Sequence, residues 1–170
     1  MRDCFGIETS SEEIERWSHR SLELITDWAI KPHDPNSSQW LKAAAHFFRH
    51  HLPTIDPNSL AGDCVMELGC GFGRNAALIR PWRYYGLDIS VSALAKATYD
   101  FSRWPHHVEF WHTVYDASIP SHFEGGMKLV FGKYFFIHQP MERLAPMFAF
   151  SHRMLLPGGT LVIDRNCDIG

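Results

Sequence analysis

One segment restricts the possible folds more than any other. The apolar run Cys64-Val65-Met66-Glu67-Leu68 passes directly into Gly69-Cys70-Gly71-Phe72-Gly73. Five residues of this kind have the length of a strand buried on both faces. The stretch Arg74 to Arg80 then reads as a short helix. A glycine-rich turn between a strand and a helix is the setting in which backbone approaches a ligand at the C-terminal edge of a sheet. Gly69 and Gly71 let the chain turn tightly and lie close to a ligand. Gly73 lets the helix begin near the sheet. Glu67, at the end of the strand, can accept hydrogen bonds or pair with a cation. Alone, the segment reads equally well as an ordinary strand-to-helix turn.

The residues downstream repeat the alternation. Arg83 to Leu87 reads as a second strand ending at Asp88, and Ser90 caps a helix from Val91 to about Ser102. His107 to His112 is a third strand and Lys128 to Phe131 a fourth. Met141 to Leu155 is helical, with Pro146 expected to kink it or delay its start. Pro157-Gly158-Gly159 is read as its stop and Thr160 to Ile163 as a fifth strand. Short strands alternating with helices predict an α/β fold: a Rossmann-like, mostly parallel sheet with helices on both faces.

Upstream, Ser10 and Glu13 form a capping-box pattern. Ile14, Trp17, Leu24, Ile25 and Trp28 follow at helical spacing. The helix should end before the breaker-rich loop Lys31 to Asn36. Ser37 or Ser38 caps a second helix carrying Trp40, Leu41, Ala44, Phe47 and Phe48, and Pro53 to Asp63 connects it onward. Residues 1–62 are thus expected to be a helical N-terminal cap and residues 63–170 the core of one structural domain.

Asp88 gives the glycine turn a partner. It lies 15 residues past Gly73, where a carboxylate can accept both hydroxyls of a ribose. The competing reading is that Asp88 helps Ser90 cap the next helix. A dinucleotide such as NAD fits less well, because its fingerprint places the third glycine at position 74, which is Arg. Its pyrophosphate would also meet the charge of Glu67.

Composition removes several classes. The chain has 170 residues and a net charge of −3, with basic residues scattered. No basic block offers a nucleic-acid footprint. No apolar run reaches the length of a membrane span, and the N-terminus is not a signal peptide. Cys4, Cys64, Cys70 and Cys167 show neither metal-ligand spacing nor a disulfide pattern, so no metal site and a reducing, cytoplasmic setting are expected.

Five segments together resemble the class I, Rossmann-like S-adenosylmethionine-dependent methyltransferases, in the family's order from Cys64 to Asp164. Val65 to Gly73 looks like their first motif. Gly86-Leu87-Asp88-Ile89-Ser90 is similar to the second-strand motif, and Tyr115-Asp116-Ala117-Ser118-Ile119-Pro120 to the segment after the third strand. Leu129-Val130-Phe131 with Ile137-His138-Gln139-Pro140 resembles the fourth motif. Leu155 to Ile163 resembles the Pro-Gly-Gly turn into the fifth strand.

The resemblance implies S-adenosylmethionine as cofactor, S-adenosylhomocysteine as product and a small-molecule acceptor methylated at oxygen or nitrogen. It places Glu67, Gly69, Cys70, Gly71 and Gly73 at the methionine end. Asp88 takes the ribose, with Ile89 against the adenine. Asp116, with Ala117, takes the adenine amino group. Lys133 is expected in the cofactor site near the methyl group. His138 is the candidate general base, although it also reads as a residue that caps or packs at a helix start. Cys70 reads equally as a small residue filling the turn. The aromatic N-terminal helices suit either a cap over the acceptor or plain packing on the sheet.

Two departures from the family pattern, Lys128 and Leu156, replace residues not expected to touch the cofactor. After Ile163 only seven residues remain, where the family normally continues with a helix and two more strands. Three readings stay open, a natural minimal form, a truncated chain and a second copy covering the uncovered sheet edge; a minimal form with a shortened C-terminus that pairs as a homodimer is the expectation. Two other functions stay open: a cofactor-binding subunit without activity, and an NAD-dependent oxidoreductase.

Overall fold

Apolar side chains on both faces of every central strand demand cover on both sides, and the fold supplies it. In a computed structural model that describes residues 1–28, 63–78, 83–103 and 107–163, five strands form one parallel sheet. They are β1 (Cys64–Leu68), β2 (Arg83–Asp88), β3 (Val108–His112), β4 (Met127–Gly132) and β5 (Leu155–Ile163), in the order β3-β2-β1-β4-β5. Alternate residues go to opposite faces. Val65, Tyr84, Leu129 and Phe131 join Leu94 of helix α2 (Val91–Phe101). Met66, Leu68, Tyr85, Leu87 and Val130 join Leu144, Met147, Phe150 and Met154 of helix α3 (Met141–Met154). Each such side chain contributes roughly 1.5–3 kcal/mol through burial. The α/β reading with helices on both faces therefore holds.

Helix α1 (Ser11–Trp28) carries the N-terminal cap. Ser10 caps it as the pattern predicts, its Oγ accepting the N–H of Glu13 at 3.1 Å. The carboxylate of Glu13 does not return to the cap. It takes the guanidinium of Arg143 on α3 through two bonds of 2.6 and 2.9 Å. Ser18 ties α1 to the start of α2, accepting the Val91 N–H at 3.1 Å and receiving the Ser92 hydroxyl on its carbonyl at 2.6 Å. The predicted second cap helix at residues 37–48 lies outside the described residues, as does Cys167.

The Glu13–Arg143 pair is partly buried, its side chains 17% and 24% exposed. Arg143→Met is expected to cost about 1–2 kcal/mol, between an exposed and a fully buried pair. A double-mutant cycle with Glu13→Gln, followed by urea unfolding, measures the coupling. Coupling indistinguishable from zero would contradict the clamp.

Two sequence expectations need correction. Helix α3 starts at Met141 and runs through Pro146, so the proline does not delay it. Lying past the first turn, it forgoes one backbone bond, to the carbonyl four residues back. Pro157-Gly158-Gly159 is not the helix stop, since α3 ends at Met154 and the tripeptide lies inside β5. There the register with β4 shifts between Met127 and Leu129. Gly158 takes φ 80, and a Cβ on Gly159 would stand 2.9 Å from the carbonyl oxygen of Met127. The glycines serve a bulge that lets β5 approach β4.

No described helix is long and apolar enough to cross a membrane.

Candidate active site

Parallel strands deliver their C-terminal ends to one edge, and the strand order reverses beside β1, where ligands bind in such sheets. The loop after β1 is folded back onto β2. The N–H groups of Gly69 and Cys70 both donate to the carbonyl of Leu87, at 2.8 and 3.0 Å. Gly69, Gly71 and Gly73 have φ values of 70, 52 and 70, which glycine adopts without a steric penalty. Their surroundings differ. A Cβ at Gly69 would fall 2.5 Å from Phe135, and one at Gly73 2.5 Å from Phe110. A Cβ at Gly71 would meet nothing within 4 Å, so open space lies beside the loop at that point.

These geometries separate two substitutions. Gly71→Ala is expected to lose about 1 kcal/mol from its backbone alone. Gly69→Ala adds a clash with the Phe135 ring and is expected to lose about 2–4 kcal/mol. Chemical unfolding of both variants checks the ranking, and equal losses would count against it.

Asp88 closes the loop from β2. Its Oδ2 accepts the Gly71 N–H and its Oδ1 the Ser90 N–H, both at 2.8 Å. The structure thus supports the capping reading of Asp88 without excluding ribose binding, since each carboxylate oxygen can accept a second donor. Burial pushes its carboxyl pKa up, against the pull of the backbone N–H groups of Ser90, Gly71 and Ile89.

Glu67 sits elsewhere than the sequence suggests. It is 1% exposed. Asn75 Nδ2 donates to its Oε1 at 2.5 Å, and the Tyr84 hydroxyl donates to its Oε2. Burial raises its pKa to about 8, outweighing Tyr84, Asn75 and the positive charge of buried Lys133. Burial thus favours the neutral acid, which weakens the like-charge objection to a pyrophosphate.

The cavity at this edge measures about 640 Å³ including its mouth. Gly69, Asp88, Ile89 and Thr113 line it from the strand ends and the loops that follow them. Tyr134, Phe135, His138 and Gln139 line it from the connection between β4 and α3, and Glu13 and Trp17 from α1. Of the residues singled out in the sequence, Gly69, Asp88, Ile89 and His138 meet on its wall. Glu67, Cys70, Gly71, Gly73, Asp116, Ala117 and Lys133 are not part of that wall. The buried Cys70 sulfur packs where a Cβ on Gly86 would reach it, at 2.8 Å, in keeping with a turn-filling role. Asp116 Oδ2 accepts the His112 N–H at 2.7 Å and holds the turn after β3. Ala117 packs against the core.

His138 ends a short 3-10 turn, Phe136–His138, with its ring 5.7 Å from Trp17 in an edge-on contact. Burial, then the nearby Arg20, pushes its pKa down, so the neutral imidazole prevails at pH 7.

Several wall residues carry no signal in the sequence. Asp3 orders the first residues of the chain, its Oδ1 accepting the N–H of Phe5 and Ile7 at 3.0 and 2.9 Å and its Oδ2 the Thr9 hydroxyl at 3.3 Å. Cys4 N–H donates to the Thr113 carbonyl at 2.7 Å, drawing Phe5 onto Phe150. Asp3, Phe5 and Thr9 all line the cavity. His112 locks the turn after β3. Its Nδ1 accepts the Val114 and Tyr115 N–H groups, so its Nε2 donates to the Ile89 carbonyl at 2.8 Å. Tyr134 has φ 57, a conformation that costs a bulky residue of order 1–2 kcal/mol. No periodicity or motif marks it. Among the described residues no cluster of His, Cys, Asp or Glu could hold a metal ion.

Comparison with known proteins agrees with this architecture. Solved structures with the same fold include the PH0226 protein of Pyrococcus horikoshii OT3, 20% identical with a TM-score of 0.60 over 78% of this chain. Phosphoethanolamine N-methyltransferase 1 of Haemonchus contortus is 16% identical, with a TM-score of 0.63 over 94%. Geranyl diphosphate C-methyltransferase of Streptomyces coelicolor A3(2) is 21% identical, with a TM-score of 0.56 over 72%. The chain spans 61%, 34% and 43% of those three proteins. At these identities the likeness shows the fold. No curated protein matches the chain. A family model described as a methyltransferase domain matches residues 65–159, which take in the glycine loop, Asp88 and all five strands in part or whole. The chain belongs to that family, the class I S-adenosylmethionine-dependent methyltransferases.

Proposed function

We propose that the protein transfers a methyl group from S-adenosylmethionine to a small-molecule acceptor at oxygen or nitrogen. The observation that carries this reading is Asp88 in the wall of the cavity, its carboxylate holding the N–H of Gly71, where a Cβ would meet nothing within 4 Å. Asp88 would accept the ribose hydroxyls and Ile89 would lie against the adenine. The backbone from Gly69 through Cys70 and Gly71 to Gly73 would pass along the methionine end. Glu67 and Lys133 would support that loop from beneath. Asp116 and Ala117 would reach the adenine amino group from the loop after β3. The Haemonchus enzyme was solved with phosphoethanolamine and S-adenosylhomocysteine, which is in keeping with a small acceptor here.

Bound S-adenosylmethionine supplies an activated methyl carbon, so the protein's part is to align donor and acceptor and exclude water. His138, on the wall and neutral at pH 7, can take a proton from the acceptor. His138→Ala is expected to lower turnover by about 10²-fold for a weakly acidic acceptor. Unchanged rates across pH 6–9 would assign it a packing role.

The primary test is calorimetry with S-adenosylhomocysteine and NAD, followed by transfer of radiolabelled methyl into a deproteinised small-molecule extract. Tight NAD binding would overturn the reading. S-adenosylhomocysteine binding without label transfer would favour a silent subunit.

The free thiols of Cys4, Cys64 and Cys70 support a cytoplasmic setting. Strand β5 ends the sheet among the described residues. We infer that two copies pair along it as a homodimer. Analytical ultracentrifugation tests this, and a monomer at micromolar concentration would refute it.

A further inference from the structure

We propose that the His112 imidazole is a positioning residue for the nucleoside, tying the exit of β2 to the exit of β3 so that Ile89 and the turn carrying Asp116 keep a fixed spacing around the adenine. This inference rests on the methyl-transfer reading and adds to its site a residue that stands behind the cavity wall.

The ring makes three hydrogen bonds. Its Nδ1 accepts the Val114 N–H at 3.1 Å and the Tyr115 N–H at 3.0 Å. That leaves the proton on Nε2, which donates to the Ile89 carbonyl at 2.8 Å, on a loop 23 residues upstream. The residue is 5% exposed, and the Tyr115 ring stacks on it with centroids 4.2 Å apart. Burial pushes its pKa down, against the pull of the Ile89 carbonyl and the Asp116 carboxylate. The neutral ring, with Nδ1 able to accept, is therefore the form present at pH 7.

A residue that only closes the turn needs an acceptor for nearby N–H groups, and Asn or Asp supplies one. Imidazole adds a donor on the far side of a rigid ring, and here that donor goes to the neighbouring strand's exit. The segments so joined are the two that the cofactor reading sets around the adenine. Ile89 and Thr113 line the cavity. Asp116 accepts the His112 N–H at 2.7 Å and donates its own N–H to the His112 carbonyl at 2.9 Å. Backbone pairing of the two strands reaches the Thr113 N–H, which donates to the Asp88 carbonyl at 2.9 Å. Past that point the imidazole carries the tie. Groups on loops hold a ligand well when a supporting layer has already fixed their spacing, since the loops then need no ordering on binding.

Calorimetry with S-adenosylhomocysteine on the full chain tests the proposal, beside the melting temperature of each variant. His112→Asn keeps an acceptor for Val114 and Tyr115 and gives up the bond to Ile89. It is expected to bind about fivefold more weakly, with a melting temperature within about 3 °C of wild type. His112→Ala gives up both arms and is expected to bind at least about tenfold more weakly and to melt earlier. His112→Gln, whose amide can donate to the Ile89 carbonyl, should bind more tightly than the alanine variant. Adenosine, measured by its displacement of S-adenosylhomocysteine, should show the same losses. Wild-type affinity in the folded asparagine variant overturns the inference and leaves His112 a turn-forming role alone. A loss that adenosine does not share overturns it, as does affinity that falls only in step with melting temperature across the three variants. Failure of S-adenosylhomocysteine to bind the wild-type chain overturns the cofactor reading and this one together.

Discussion

Asp88→Ala is expected to weaken S-adenosylhomocysteine binding by about 100-fold or more, while the chain remains folded. Hydrogen bonds to a charged acceptor contribute about 1.5–3 kcal/mol each. Two ribose hydroxyls on one carboxylate therefore put about 3 kcal/mol at stake, and 1.4 kcal/mol is a factor of ten. Part of the loss comes through the loop, because the same oxygens hold the N–H groups of Gly71 and Ser90. Asp88→Asn separates the two contributions. It retains one oxygen acceptor and is expected to fall between alanine and wild type. The sheet survives either change, since the bond from Thr113 N–H goes to the Asp88 backbone carbonyl at 2.9 Å. Calorimetry measures the affinity and circular dichroism the fold. Wild-type affinity in the alanine variant would remove the ribose from this position.

The second large effect concerns Glu67 and is expected in stability. Glu67→Ala leaves the Asn75 amide and the Tyr84 hydroxyl without their buried partner and opens a void. We expect a loss of about 3–5 kcal/mol. Glu67→Gln is expected to cost far less, because glutamine imitates the protonated acid. Its carbonyl can accept from Asn75, and the Tyr84 hydroxyl, which donates to Glu67 in the native chain, can turn to accept from the glutamine amide. The pH dependence follows from the raised pKa. The unfolded chain releases the Glu67 proton near the ordinary 4.5, whereas the folded protein keeps it to about 8. Between those values the folded state binds more protons, so stability falls as pH rises. The slope approaches about 1.4 kcal/mol per pH unit and levels off above pH 8. Glutamine has no such slope. Urea unfolding of wild type and Glu67→Gln at pH 5, 6.5 and 8 should give curves that diverge with this sign. Parallel curves would mean that Glu67 is ionised in the folded protein at neutral pH.

Both predictions concern residues visible in the sequence, but only one of them could be understood there. Asp88 ends an apolar run and is followed by a capping serine, so its position at the strand's edge is a local property. Glu67 also ends an apolar run, and from the sequence it looks like a charge beside the ligand. Its raised pKa comes from burial, which is complete only when β2 and the turn after the glycine loop have packed around it. The Pro157-Gly158-Gly159 segment misleads for a related reason. Proline and glycine punctuate helices and also permit bulges, and only the register of β5 on β4 distinguishes these uses.

Taken by itself, the amino-acid sequence determined the parallel α/β sheet, the glycine loop and the carboxylate at the end of β2. All three are written in contiguous patterns, because strand burial, backbone freedom and capping act over a few neighbouring residues. Tertiary structure alone decided the rest of the cavity. Phe5 and Asp3 enter the wall through a bond from Cys4 to Thr113, and Glu13 finds Arg143 from 130 residues away. Tyr134 is held in a conformation its own side chain opposes. Contacts between distant segments leave no local periodicity, so this part of the cavity emerges only when the chain has closed on itself.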